Sequence, residues 1–433
     1  MFVNQTQTVI SRANGNHYEQ ATIIYSPALN VETGVVDFFA NNFTWGRSSG
    51  PGTNLFWVPS NFDDILKHRS ARLSTQSVGA MALARLHKSS YYLREAQRHY
   101  GLALLSLAEL WQQGVDLEKD AVLITVLFLG FFEVLASYSS SSRRGWTTHL
   151  GGIGMLLGMR DEEYFSTDLG ARMLLQSRNQ SILNALQTKT KVPEAFQRPI
   201  YRFKQPTSPD IMASHHAEML LTRLAELQAQ HRVLGPSPAL YDDLNTLIKT
   251  LWRWSDELPS SWSFSVHVCD RGSPFWWATR CDVYSAPLIS HVWNKIRSAQ
   301  LVAFDLIYET SLCVSSSLES QSTAYSHMFR NGTFTPEMQN LVIDICATIP
   351  MFYRPSNATA DPRSDIGSSR PVLGTTYWLL WPLEIVGSKR DAPVDLKTWI
   401  VNCLERIYQI TGIVKAQIAA DRVKHCRGAN AAP

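Results

Sequence analysis

The chain has 433 residues, 45% of them hydrophobic and 18% charged, with 40 Lys and Arg against 37 Asp and Glu for a net charge of +3. That apolar fraction excludes a disordered or low-complexity chain, and the near-neutral balance carries no overall nucleic-acid signature. A chain this long has room for about three domains of ordinary size and needs no covalent staple to hold a core.

Residues 1–30 are polar and irregular. A first helix is expected over 32–43, where Val35, Val36, Phe38, Phe39 and Phe43 form an apolar stripe. A loop follows over 46–60, broken by Ser48-Ser49-Gly50-Pro51-Gly52. From 74 to 112 the pattern is helical, with leucines recurring three and four apart and Gly114 as the stop. Asp116 can cap a helix over 117–138 that is apolar nearly all round and therefore central. A polar loop at 139–145 precedes a helix over 147–159. Amphipathic segments follow at 168–188, 208–232, 239–255, 283–312, 336–350, 374–386 and 395–422. In the last of these Leu396, Trp399, Ile400, Cys403, Leu404, Ile407, Ile410 and Val414 hold one face. Trp262 to Val268 alternates like a strand, yet one isolated strand cannot form a sheet. Residues 355–371 are the best internal loop. The expected fold class is all-α, an irregular multi-helix bundle or solenoid.

Six cysteines stand at 269, 281, 313, 346, 403 and 426, and the closest pair, Cys269 and Cys281, is twelve residues apart. No C-x-x-C pair is written, which excludes a zinc ribbon and a redox dithiol, and the dispersal fits a reducing compartment. The opening Met1-Phe2-Val3-Asn4 lacks the basic flank and apolar run of a signal peptide. The most apolar stretch, 121–132, ends at Glu133 and is too short to span a bilayer. A soluble intracellular chain with no membrane partner is expected.

Chemical motifs are absent. Asp63-Asp64 is followed by Ile65-Leu66-Lys67, which puts a cation where a third Mg²⁺ ligand would stand; the pair suits a helix N-terminus instead. There is no G-x-S-x-G, H-E-x-x-H or P-loop. Gly152-Ile153-Gly154 with Gly158 imitates a nucleotide fingerprint but lies in a helical pattern with no strand before it, so it suits helix–helix contact. His215-His216 with Glu218 suggests a metal, but adjacent helical side chains point about 100° apart, which favours a solvated or capping role. No catalytic residue, cofactor or metal site is expected.

Several segments taken together resemble the regulatory region of fungal zinc-cluster transcription factors, the fungal-specific transcription factor domain. The likeness begins at Val36-Asp37-Phe38-Phe39 and continues through Tyr100-Gly101-Leu102-Ala103-Leu104. Phe131-Phe132-Glu133 then precedes Trp146-Thr147-Thr148-His149-Leu150-Gly151-Gly152, similar to that family's Trp-x-x-His-x-x-Gly segment. Leu156-Leu157-Gly158-Met159-Arg160 stands where members carry a double leucine and Arg-Gly-Pro, with Asp161 in place of the glycine. Val283-Tyr284, Trp293-Asn294-Lys295-Ile296-Arg297, Trp381-Pro382-Leu383 and Gly412-Ile413 extend the likeness to about residue 420. Physically, Trp146, His149, Gly152, Arg160, Trp293, Asn294 and Arg297 suit a scaffold. His149 would hydrogen-bond a neighbouring backbone, Gly152 and Gly158 would let helices approach, and Arg297 would cap carbonyls or pair with an acid from another helix.

The resemblance implies a regulatory domain over 31–423, between the irregular 1–30 and a short tail at 424–433. Members of that family read DNA through six closely spaced N-terminal cysteines holding two zinc ions. Here the first cysteine is Cys269, so such a module is expected to be missing and direct specific DNA binding is not expected. The basic Arg422, Lys424, His425 and Arg427 suit the end of a last helix. What the resemblance implies is a nuclear regulator of a pathway-specific gene set, such as secondary metabolism. Its partners would be a zinc-cluster regulator or coactivator, with a small-molecule effector possible. An all-α biosynthetic enzyme and a scaffold without DNA contact are the alternatives.

Overall fold

Helix follows helix because apolar side chains recur every three or four residues and each stripe finds a neighbour to cover it. The computed structural model describes residues 31–43, 62–114, 120–136, 142–198, 209–268, 277, 279–314, 335–353 and 373–428. The segment 1–30, the loops at 46–60 and 355–371, Asp116, Cys269, residues 139–141 and the end of the tail lie outside them, and the rest of the loop expected at 139–145 is already helical. Contacts divide the chain into Met1–Gly34 and Val35–Pro433; of the first unit only the opening of α1 is described.

The fold is all-α. In chain order the helices are α1 (Val31–Phe43), α2 (Phe62–Ile65), α3 (Arg69–His87), α4 (Ser90–Gln113), α5 (Asp120–Ala136), α6 (Ser142–Gly158), α7 (Glu162–Ser166), α8 (Asp168–Thr188), α9 (Pro209–Leu234) and α10 (Pro238–Arg253). A hairpin of β1 (Phe264–Val268) and β2 (Arg280–Tyr284) intervenes. Then come α11 (Pro287–Val314), α12 (Pro336–Thr348), α13 (Leu373–Thr376), α14 (Leu380–Gly387), α15 (Val394–Thr411) and α16 (Val414–Gly428). Among the described residues no helix is long and apolar enough to cross a membrane.

The centre of the first half is α5, where every residue from Ala121 to Phe132, together with Val134 and Leu135, is buried. It lies among α3, α4 and α6. Phe39 and Phe43 of α1 meet Phe128 and Phe131 edge-on, at 4.9 and 5.3 Å between ring centres. Helix α3 is buried almost all round although it is rich in hydroxyls. Ser74 and Thr75 donate to the Ala71 carbonyl and Ser77 to that of Ser74, while Ser70 pairs with Thr125 of α5, so none enters the core unpaired. In the second half α11 is the hub, packed on α9, α10, α12 and α14. The last two helices close the unit by returning to the first half, α15 against α3 and α16 against α5.

Four sequence expectations need correction. The helix expected over 74–112 is two helices, because Lys88 turns left-handed at φ 49° and Ser89 caps α4, its hydroxyl accepting from the Tyr92 N–H. The helix expected over 395–422 is broken at Gly412, whose φ of 69° ends α15. A β-carbon there would also lie 2.2 Å from Arg85 Cβ, so both backbone and space require glycine. The strand expected to stay single pairs antiparallel with β2, Phe264 opposite Tyr284 and Val268 opposite Arg280. Tyr284 was expected inside a helix, but Pro287 starts α11 after it.

Candidate functional site

The Trp-x-x-His segment lies on α6, where it meets Tyr100 of α4 and Glu133 of α5. The Tyr100 phenol donates to Glu133 Oε1 at 2.6 Å, and its oxygen lies 3.0 Å from His149 Nε2. With the phenolic proton spent on Glu133, His149 must donate through Nε2–H, which fixes its tautomer. Burial lowers the His149 pKa to about 4, so it stays neutral at neutral pH. Burial, and then the Glu133 carboxylate, raise the phenol's pKa. Tyr100 lies flat on Phe132 at 4.3 Å between ring centres. Trp146 fills the space over Gly130, 3.0 Å from where a β-carbon would stand, and Lys415 of α16 lies over the indole. His149 therefore bonds a side chain two helices away, where a backbone partner was expected. Each group grips another helix, which makes the cluster a clamp across α4, α5 and α6.

The glycines near it play different parts from those expected. A β-carbon on Gly152 would make an ordinary 3.5 Å contact with Val126, and one on Gly158 would meet nothing within 4 Å. Between them Gly154 does approach closely, against Phe196 at 3.2 Å. Arg160 is buried with its guanidinium over the Tyr164 ring. Asp161 caps α7 by accepting from the Tyr164 N–H at 2.8 Å.

The Trp-Asn-x-x-Arg segment lies on α11. Trp293 donates from its indole nitrogen to the Trp262 carbonyl and meets Trp254 edge-on. Asn294 donates to Thr348 Oγ1 of α12 at 2.7 Å. Arg297 stacks over Trp293 at 4.9 Å, donates to the Asp344 carbonyl and lies 3.8 Å from the Asp344 carboxylate. Arg280 of β2 reaches the same carboxylate at 2.5 Å and Asp282 at 2.9 Å. These bonds tie α11, α12 and the hairpin together, and none of them reaches the α4–α6 clamp.

A third cluster was not foreseen. Arg178 of α8 is almost wholly buried; it donates to the Phe196 and Arg198 carbonyls and to His215 Nδ1, and lies 3.6 Å from Glu218 Oε2 on α9. His215 thus accepts, and burial followed by the Arg178 charge lowers its pKa to about 4. Its neighbour His216 points away to Glu257 at 3.9 Å, as adjacent helical positions require. Lys295 of α11 donates to Asn179 Oδ1 at 2.9 Å, and the Glu218 charge acts on it. Burial lowers the pKa of this lysine and raises that of Glu218. The only trace in the sequence was the His215-His216-Glu218 cluster; its buried half belongs to a polar core where a solvated or capping role was expected. Among the described residues no group of three His, Cys, Asp or Glu side chains gathers to hold a metal. Asp64 is exposed and paired with Lys67 at 2.6 Å.

Residues 62–186, from α2 through most of α8, match the family described as the fungal specific transcription factor domain. The α4–α6 clamp and Arg160 fall inside that stretch, whereas Trp293, Asn294 and Arg297 lie outside it. The match supports a role in transcription regulation. No curated protein and no solved structure matches the chain.

Proposed function

We propose that the chain is a nuclear transcription regulator that controls a pathway-specific set of genes, secondary metabolism among the candidates, through its helical region. The observation that carries this reading is the family match over 62–186, within which Tyr100, Glu133, Trp146 and His149 lock the central helices. The region would act on genes together with a protein partner, such as a zinc-cluster regulator or a coactivator. Leu104, Leu105 and Trp111 stand exposed on α4 and supply apolar surface for such a partner. Deleting the gene and measuring all transcripts tests the reading. A coherent change in a co-regulated gene set is expected; an unchanged transcriptome with one missing metabolite would point to an enzyme instead.

A further inference from the structure

Helix α6 turns an uncharged face to solvent. Its exposed positions are Thr147, Thr148, Gly151, Met155 and Gly158, with Met159 just past the last turn, and none of these carries a charge. Other helices meet solvent with ions, as α4 does through Arg94, Arg98 and Glu109 and α10 through Asp242 and Lys249. Met155 and Met159 are 55% and 44% exposed and lie one turn apart, on the side turned away from the buried Trp146, Leu150, Ile153 and Leu157. Interior glycine weakens a helix, yet a β-carbon on Gly151 or Gly158 would meet nothing within 4 Å. Among the described residues, no contact within the chain therefore requires either glycine. Large side chains beside gaps, with no charge between them, form a surface that another helix packs against.

The charges at the two ends of α6 indicate which helix. Arg143 and Arg144 stand in its first turn, and Asp161, Glu162 and Glu163 follow directly on its far end. Each end keeps its sign when its neighbours are counted. At the first, Glu133 stands beside Gly145 and Lys415 lies over Trp146, which leaves an excess of base. At the second, Arg198 donates to the Gly158 and Arg160 carbonyls and Arg160 is buried over Tyr164, while Asp120 accepts from the Tyr164 phenol, which leaves an excess of acid. The helix dipole has the same sense, positive at its start and negative at its end. A second copy of this helix, crossed antiparallel, answers both features. About a two-fold axis level with residue 153, Met155 faces the second copy's Gly151 and Met159 faces its Thr147, large against small, and each basic end meets an acidic one. We propose that two copies of this chain pair in this way through α6, as a self-complementary dimer. The face is one helix wide, short of an obligate interface, so the dimer is reversible and forms in the micromolar range. This pairing does not depend on the regulator reading above.

Sedimentation of the full 433-residue chain between about 1 and about 100 µM tests it, with a rise from the mass of one chain towards that of two expected as the concentration increases. Met155→Glu and Gly151→Leu are each expected to weaken pairing by about ten-fold or more. Both should keep the parent's melting midpoint, because Met155 is exposed and the space at Gly151 is open. The orientation is tested by two charge reversals, Arg143→Glu with Arg144→Glu in one chain and Glu162→Arg with Glu163→Arg in another. Each reversed chain alone should stay monomeric where the parent pairs, and a mixture of the two should pair again. The proposal falls if the parent stays monomeric at about 100 µM, which would leave the face to a different protein. It falls equally if a dimer forms that neither Met155→Glu nor Gly151→Leu weakens, or if the two reversed chains do not pair when mixed.

Discussion

The backbone of α6 rests on the carboxylate that Tyr100 holds: a β-carbon on Gly145 would lie 2.6 Å from Glu133 Cδ. Gly145→Ala must therefore push Glu133 off the phenol, even though alanine is the better helix former. The clash outweighs the propensity gain, and a net loss of about 1 kcal/mol is expected in urea unfolding. With Glu133→Ala in the background the obstacle is gone, and the same substitution should stabilise by a few tenths to about 1 kcal/mol. The change of sign is the diagnostic result.

Acid should weaken the fold through its buried histidines. His149 and His215 have folded pKa values of about 4, below the ordinary value of 6.5. The unfolded chain therefore takes up protons first as the pH falls. The stability is fully present above about pH 6.5 and is lost progressively towards pH 4, by up to roughly 3 kcal/mol per histidine. His149→Gln keeps a donor for Tyr100 but does not titrate, so its urea midpoint should fall less steeply between pH 7 and pH 4.5.

Arg297 uses a flat, forked cation in two ways, stacking on Trp293 and reaching both the carbonyl and the carboxylate of Asp344. Lysine keeps the charge and loses the plane and the fork. Arg297→Lys should cost about 1–3 kcal/mol, measured as a lower denaturation midpoint at an unchanged slope.

Gly412 is constrained twice, by a positive φ and by the Arg85 side chain. Gly412→Ala should destabilise by about 3 kcal/mol or more, seen as a lowered melting temperature or insoluble expression. Gly158, with open space around it, should accept alanine without loss.

No zinc-dependent DNA reading is expected from these residues. Cys281, Cys346 and Cys403 are buried, and no two cysteines are closer than twelve positions. A chelator should leave the melting curve unchanged, and the purified chain should give no sequence-discriminating shift of duplex DNA at physiological salt. A nanomolar, sequence-selective shift would contradict this directly.

Much of the architecture was legible because helices are written locally. Residues 168–188 were expected as a helix and form one, since Thr167 caps it and its apolar positions repeat within the segment. The break at Lys88 was not legible: a lysine forced left-handed by the packing of α3 on α4 looks like any other helical lysine. The partner of β1 was missed for a related reason, because β2 is five residues long and runs almost directly into α11.

Composition and periodicity by themselves determined that the chain is helical and that its apolar run at 121–132 is central, while the short motifs carried the resemblance to a family. Only the tertiary structure decided what those motifs do. Tyr100 and His149 stand 49 residues apart, and Asn179 and Lys295 stand 116 apart. Their bonds arise from the packing of whole helices. An amphipathic pattern states which face of a helix is buried, but not which partner that face will meet, because any apolar stripe covers another about equally well. The choice is made by side-chain shape, by glycine contacts such as Gly145 on Glu133, and by the need to satisfy each buried polar atom. These terms take their values only when the folded neighbours are in place.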